Sequence, residues 1–367
     1  MKNKIKYFLI ISLLTFVVLF FIFSNKKQKV NSIYPIKISM DGCVSTLDLY
    51  RWDLQVFRPG SNLNKDSLID EIKIKMDPVI PISKEKYNEF MIDSDFRTLS
   101  DSTYNIYQEK LPYFKEINDG FCIYRNFLKS NENNNQSLNQ ETTNLVVYLD
   151  SDIFLLQQPD FKPPFFPVDF SINPQDRSQW LTIGLHWFLG EAHPFYQTIP
   201  DYLRCRYDSI YMSPMIFHSV GSQYIRFNQT DNINDETLLG AMISTAKPYF
   251  FAKNMLPDVP EYRIFGFTKF TDLDGNVYDE MDFAVANESY FWKDILLKND
   301  LLYSTARDLK ELYIIPGPNI DCPSRLGTWL GLRILESYYT NNTDLNLQDI
   351  LLESDYKKIL NQSNYHP

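Results

Sequence analysis

The chain has 367 residues, 44% of them hydrophobic and 22% charged, proportions that exclude a fully disordered chain, a fibrous protein and a polytopic membrane protein. The net charge is −10, and it is uneven: six of the 36 basic residues lie in residues 1–30 with no acid, which leaves 30 basic against 46 acidic groups, a net of −16, on the rest. Such a body lacks the basic face that nucleic acid requires, so no nucleic-acid partner is expected. The length suits about two domains with a core large enough to need no metal or disulfide staple.

Residues 7–23 read YFLIISLLTFVVLFFIF, preceded by Lys2, Lys4 and Lys6 and followed by Lys26, Lys27 and Lys29. As a helix this run spans about 25 Å, slightly short of the hydrocarbon core, and flanking lysines snorkel to cover the difference. It has the character of a signal peptide or signal anchor. No small-x-small cleavage site follows it, and the next cysteine is Cys43, too distant for acylation at the end of the run. An uncleaved membrane anchor helix is therefore the reading, with the body outside the cytoplasm. Residues 1–30 form this anchor and its polar tether.

Residues 31–129 form an N-terminal α+β part. Short extended stretches are expected in Ile33–Ser39 and Leu47–Phe57, and helices in Ser67–Met76, Lys84–Ile92, Ser102–Phe114 and Gly120–Lys129. Residues 130–144, SNENNNQSLNQETTN, contain one apolar residue and read as a disordered loop. The body from 145 to 367 opens with a buried-strand pattern at Leu145–Leu149, then a proline-rich stretch, then a second strand at Trp180–Leu185. Helices are expected at Ile199–Tyr207, Ser213–Phe227, Asp235–Ala246, Glu288–Lys298, Arg325–Thr340, Leu347–Leu352 and Tyr356–Leu360. Ser213 is read as an N-cap with Pro214 as the first helical residue. The fold class is α+β, mostly helical.

The chemistry-bearing residues are few. Cys43, Cys122, Cys205 and Cys322 show no CxxC; three pairings are open, and each thiol alone reads as buried and apolar. The histidines are His186, His193, His218 and His366. An HExxH peptidase needs Glu after the first histidine and a second histidine at i+4, whereas Ser219 and Ser222 stand there after His218. His218 alone reads as a hydrogen-bonded structural residue. His186, Glu191 and His193 in HWFLGEAH are ligand-type groups, the best candidates for a metal, but their spacing matches no ligand pattern. Asp150 and Asp152 at the end of the first body strand read as a solvated pair. TDLDGNVYDE, residues 271–280, resembles part of a calcium loop but has Phe283 where the closing Glu belongs, so it is read as a turn. There is no GxSxG, P-loop or GxGxxG, and no cofactor is expected. The 24 Tyr and 27 Phe suit core packing or, alternatively, glycan or peptide stacking.

Three stretches carry a resemblance: LTIGLHWFLGEAHPFYQTIPDYLRCRY (181–207), ETLLGAMISTAKPYFFAKNMLPDVPEYRIFGFT (236–268) and the carboxyl end from PSRLGTWLGLRILESYY (323–339) onward, with LLYSTARDL (301–309) between them. Together they resemble the gliding-motility-associated lipoprotein GldB family of Bacteroidota, strongly over 145–367 and loosely over 40–130. The resemblance implies an envelope protein facing the periplasm, tethered to the membrane and partnered with the gliding and type IX secretion machinery. It also implies a degenerate zincin-like metallopeptidase fold without HExxH, hence no catalytic residues. Lys247, Arg325, Gly327, Trp329 and Gly331 match the family pattern best and are the candidate groove positions. The chain departs from the family in lacking a lipobox cysteine, in His186 where Asp is common, in Ala246 before Lys247 where Gly is usual, and in Ser324 where Gly is usual. Gly327 and Gly331, four apart, allow another backbone to approach the last long helix, and Arg325 in its first turn is expected to have a carboxylate partner. The functional expectation is a noncatalytic, membrane-tethered envelope protein. The alternatives are a metal-dependent hydrolase with an unusual site and a glycan- or peptide-binding envelope protein.

Overall fold

The computed structural model describes residues 37–39, 43–48, 98–99, 102, 113–131, 143–148, 167–172, 179–229, 235–272, 274–314 and 324–367. The anchor segment 7–23, the proline-rich stretch before Pro167, the Asp150/Asp152 pair, and most of the helices expected before residue 113 lie outside these residues. Among the described residues, no helix is long and apolar enough to cross a membrane.

A five-stranded sheet is built from β1 (Lys37–Ser39), β2 (Val44–Asp48), β3 (Thr143–Tyr148), β4 (Val168–Ile172) and β5 (Gln179–Gly184), in the order β1-β2-β3-β5-β4. The inner strands β2, β3 and β5 are parallel, and both edge strands are antiparallel to their neighbours. The parallel β2–β3 step requires a crossover, and helix α1 (Phe114–Ser130) lies within it. Its buried residues Ile117, Phe121, Tyr124 and Leu128 recur at helical spacing, and it begins before the expected Gly120 because Phe114 already packs on the core. Cys122 on this helix is bonded to Cys43 before β2. The expectation of isolated apolar thiols is therefore corrected for these two. Two cysteines 79 residues apart in sequence meet because the sheet and α1 are brought together, which spacing alone does not reveal. Cys205 is free, and Cys322 lies outside the described residues.

Beyond β5 the chain is helical. A short helix, α2 (Asp201–Arg204), replaces the longer one expected over Ile199–Tyr207; Pro200 starts it and tight turns take over at Cys205. Helix α3 (Met212–Asn228) starts one residue before Ser213. Asp208 instead caps the preceding turn, accepting from the Ile210 N–H at 3.0 Å. Ser213 is not the cap: its hydroxyl donates to Glu116 of α1. Helix α4 (Leu238–Met255), capped by Thr237, runs straight through Pro248 and so extends past the expected end at Ala246. A proline costs an interior helix about 3 kcal/mol, which an all-round buried helix offsets through packing.

After α5 (Glu261–Phe265) come a hairpin, β6 (Lys269–Thr271) and β7 (Val277–Asp279), and helix α6 (Glu280–Tyr290), continuing as a π-helix over Phe291–Leu297. The Asp272–Asn276 segment is the expected turn, its Asp272 carboxylate accepting from the N–H groups of Asp274 and Asn276. Helices α7 (Arg307–Tyr313), α8 (Leu326–Asn341), α9 (Leu347–Leu352) and α10 (Tyr356–Ser363) complete the chain. Asn346 and Asp349 form a capping box for α9, and Asp355 caps α10.

The core lies where α4 packs between α3 and α8, with α3 on edge strand β4. Ser219 on α3 accepts the Phe170 N–H of β4 at 3.1 Å, which satisfies an edge-strand donor. Aromatic rings join the layers: Tyr124 of α1 packs edge-on to Phe170 and Phe251, and Phe121 lies 4.9 Å from Phe217.

Candidate functional site

The five family-pattern positions surround the α4–α8 contact. A Cβ built on Gly331 would stand 2.2 Å from the Met242 carbonyl oxygen, so the glycine sets how closely α8 meets the α4 backbone. At Gly327 the neighbour is a different element: a Cβ there would meet Tyr313 of α7 at 3.0 Å. Trp329 is buried and donates its indole N–H to Glu261 at 3.0 Å. Lys247 is buried on α4, its ammonium 2.5 Å from the Glu353 carbonyl oxygen and over the Tyr356 ring. Burial, partly offset by the Glu353 carboxylate, lowers the Lys247 pKa to about 8.

Arg325 is not in the first turn of α8. It is the N-cap residue, in the left-handed region at φ 62°. Its guanidinium donates to Tyr249 Oη and the Phe265 carbonyl, both at 2.8 Å, and to the Gly266 carbonyl at 3.2 Å, while lying 4.7 Å over the Phe265 ring. A phenol, two carbonyls and an aromatic face are therefore among its partners, and none of these is the carboxylate expected from its charge. The carboxylate in this region, Glu280, is fully buried and accepts from the Thr268 N–H at 2.5 Å, with Arg206 at 3.5 Å. Burial lowers the Arg325 pKa to about 10; Tyr249 and Glu280 favour its charge and Arg206 opposes it, and it remains cationic at neutral pH.

The cation faces His218. The His218 ring lies 4.4 Å from that of Tyr249, and burial, reinforced by the Arg325 charge, lowers its pKa to about 3. The imidazole is therefore neutral. Ser219 is bonded to the β4 backbone, and Ser222 donates to the His218 carbonyl at 2.9 Å. The two positions that would carry Glu and the second His in an HExxH helix thus serve the backbone.

The residues of HWFLGEAH are not gathered. His186 is buried in a turn whose carbonyl accepts from Tyr196 Oη at 2.5 Å. Glu191 is exposed. His193 is half-buried, with Nε2 2.8 Å from Ser102 Oγ and its ring stacked on Phe195; burial lowers its pKa. Among the described residues, no group of three or more His, Cys, Asp or Glu side chains is arranged to hold a metal ion.

Among the described residues, the surface carries these grooves. One of about 600 Å³ lies between the C-terminal halves of α4 and α8 and is bordered by Tyr365. A polar one of about 620 Å³ lies between the end of α1 and the α9–α10 region. A third of about 360 Å³ runs between α1 and the segment after α4. None of the five family-pattern positions lines these three grooves. They work beneath the surface.

A family model described as gliding motility protein GldB matches residues 46–367, from within β2 to the carboxyl terminus. The chain belongs to the GldB family. Membership makes it a gliding-motility-associated protein of the cell envelope. The match takes in the region before residue 130, where the resemblance was looser, as well as the helical body. No curated protein and no solved structure matches the chain.

Proposed function

We propose that this GldB-family chain is a noncatalytic, membrane-tethered adaptor, built on a degenerate zincin-like fold, that serves the gliding and type IX secretion machinery. Residues 7–23 are its anchor and the body faces the periplasm. The observation that carries the noncatalytic reading is the fate of α3. This helix packs on an antiparallel edge strand, but Ser219 and Ser222 are committed to backbone groups and His218 is neutral against Tyr249 and a buried arginine. A zinc site requires ligands and a general base at those places. The Cys43–Cys122 bond supports an oxidising compartment outside the cytoplasm.

The test is complementation in the host. Deletion of the chain abolishes spreading or secretion. His193→Ala and His218→Gln restore both as well as wild type does. A chelator-sensitive peptidase activity of the full-length chain, lost in either variant, would sink the noncatalytic reading.

A further inference from the structure

The groove between α4 and α8 has a chemistry that the motility assignment does not use. Tyr339 stands on its wall, 38% exposed, with its ring edge-on to the buried Phe250 at 5.7 Å. An aromatic face held by a second ring is a stacking platform, because its negative face attracts polarised C–H groups. Two amides flank it. Asn254 gives its NH₂ to the Phe250 carbonyl at 2.8 Å, and Asn341 gives its NH₂ to the Ser363 carbonyl at 2.6 Å. Both amides thereby keep their oxygens as acceptors for ligand hydroxyls.

The charges of the groove are already paired. Lys253 bonds Glu261 at 2.5 Å and also Glu336, while Arg333 bonds Glu336 at 2.6 Å and Glu288 at 3.3 Å. The groove is lined by these two cations and by Glu336, and Glu261 and Glu288 lie outside its lining, so both cations are already matched by carboxylates and neither is left over for an anionic ligand. The walls are also fixed in place. Tyr365 donates to Glu288 at 2.6 Å, Ser337 donates to the Ser363 carbonyl at 2.7 Å, and Gly331 locks α8 on α4. A prebuilt cleft avoids the ordering cost of binding, and about 600 Å³ lies within the size range of small-molecule sites.

We propose that this groove is a saccharide-binding site that stacks a neutral pyranose ring on Tyr339 and bonds its hydroxyls through Asn254 and Asn341. The adaptor reading and this site stand on different residues, so either can fail alone.

The experiment is a titration of the full-length chain in detergent with chitotetraose, cellotetraose and maltotetraose, followed by saturation-transfer NMR and calorimetry. At least one saccharide binds, with an affinity that added salt leaves unchanged, because a neutral ligand is not screened. Tyr339→Ala weakens it about tenfold or more, while Tyr339→Phe, which keeps the ring, retains most of it. Tyr339 is exposed, so both variants fold, and their melting temperatures check this. Four results would overturn the site: no binding of any of the three, binding that Tyr339→Ala leaves intact, binding that salt abolishes, or tighter binding of an uncharged Gly-Ser tetrapeptide.

Discussion

Burial and the Arg325 guanidinium both oppose protonation of His218, and the consequence is a pH-dependent stability whose sign can be worked out. The folded-state pKa is about 3, and the unfolded value is close to 6.5. Below pH 6.5 the unfolded chain takes up a proton that the folded chain refuses. Stability is therefore lost as pH falls from 6.5 toward 3, by roughly 4 kcal/mol over that window. Urea titrations across this range should show a flatter pH profile for His218→Gln than for wild type; parallel profiles would refute the assignment. Arg325 shows how a cation is kept in such a place. Its left-handed backbone and its carbonyl acceptors on the α5 turn hold the guanidinium where burial alone would favour neutrality. The reading that it needs a partner followed from its charge. Which partner it has depends on α5, some sixty residues away in sequence, so neighbouring residues carried no sign of it.

At the scale of elements, the two glycines of α8 separate local pattern from tertiary consequence. Their spacing of four was visible, and close approach of another backbone was expected. The structure gives that approach at both, but more tightly at Gly331, where an added Cβ would stand 2.2 Å from the Met242 carbonyl oxygen of α4, than at Gly327, where it would stand 3.0 Å from the Tyr313 carbonyl oxygen of α7. Gly331→Ala should therefore cost about 3 kcal/mol or more, because a main-chain carbonyl cannot move aside. Gly327→Ala should cost distinctly less, because contact at 3.0 Å is relieved by a small shift of a short helix. Denaturant unfolding of the two variants decides it: equal losses would mean that α4 and α8 have room to part. The same contrast runs through the helices. Periodicity located α3, α8, α9 and α10, the longest of which bury residues at helical spacing, but not α5, α7 or the first two turns of α6. It missed the passage of α4 through Pro248, because the contacts that offset the proline come from α3 and α8.

For the whole molecule, the Cys43–Cys122 bond ties the strand region before β2 to α1 across 79 residues of chain. In the loop-entropy description a crosslink of that length stabilises the fold by about 4–5 kcal/mol. The double variant Cys43→Ser/Cys122→Ser should therefore melt well below wild type, and reductant should lower the wild-type melting temperature while leaving the variant unaffected. A wild type indifferent to reductant would show that the bond does not form in solution.

The sequence by itself determined what depends on neighbours along the chain: the apolar run and its lysines, the helical and strand patterns, the missing HExxH partners, and the ordered motifs of the GldB family. Only the tertiary structure decided which cysteines pair, what surrounds Arg325 and His218, and that the family-pattern residues lie beneath the surface while Tyr339 lines an open groove. Those outcomes depend on distances between residues remote in sequence. Such distances are set by how the sheet, α4 and α8 pack against one another, and no local spacing encodes them.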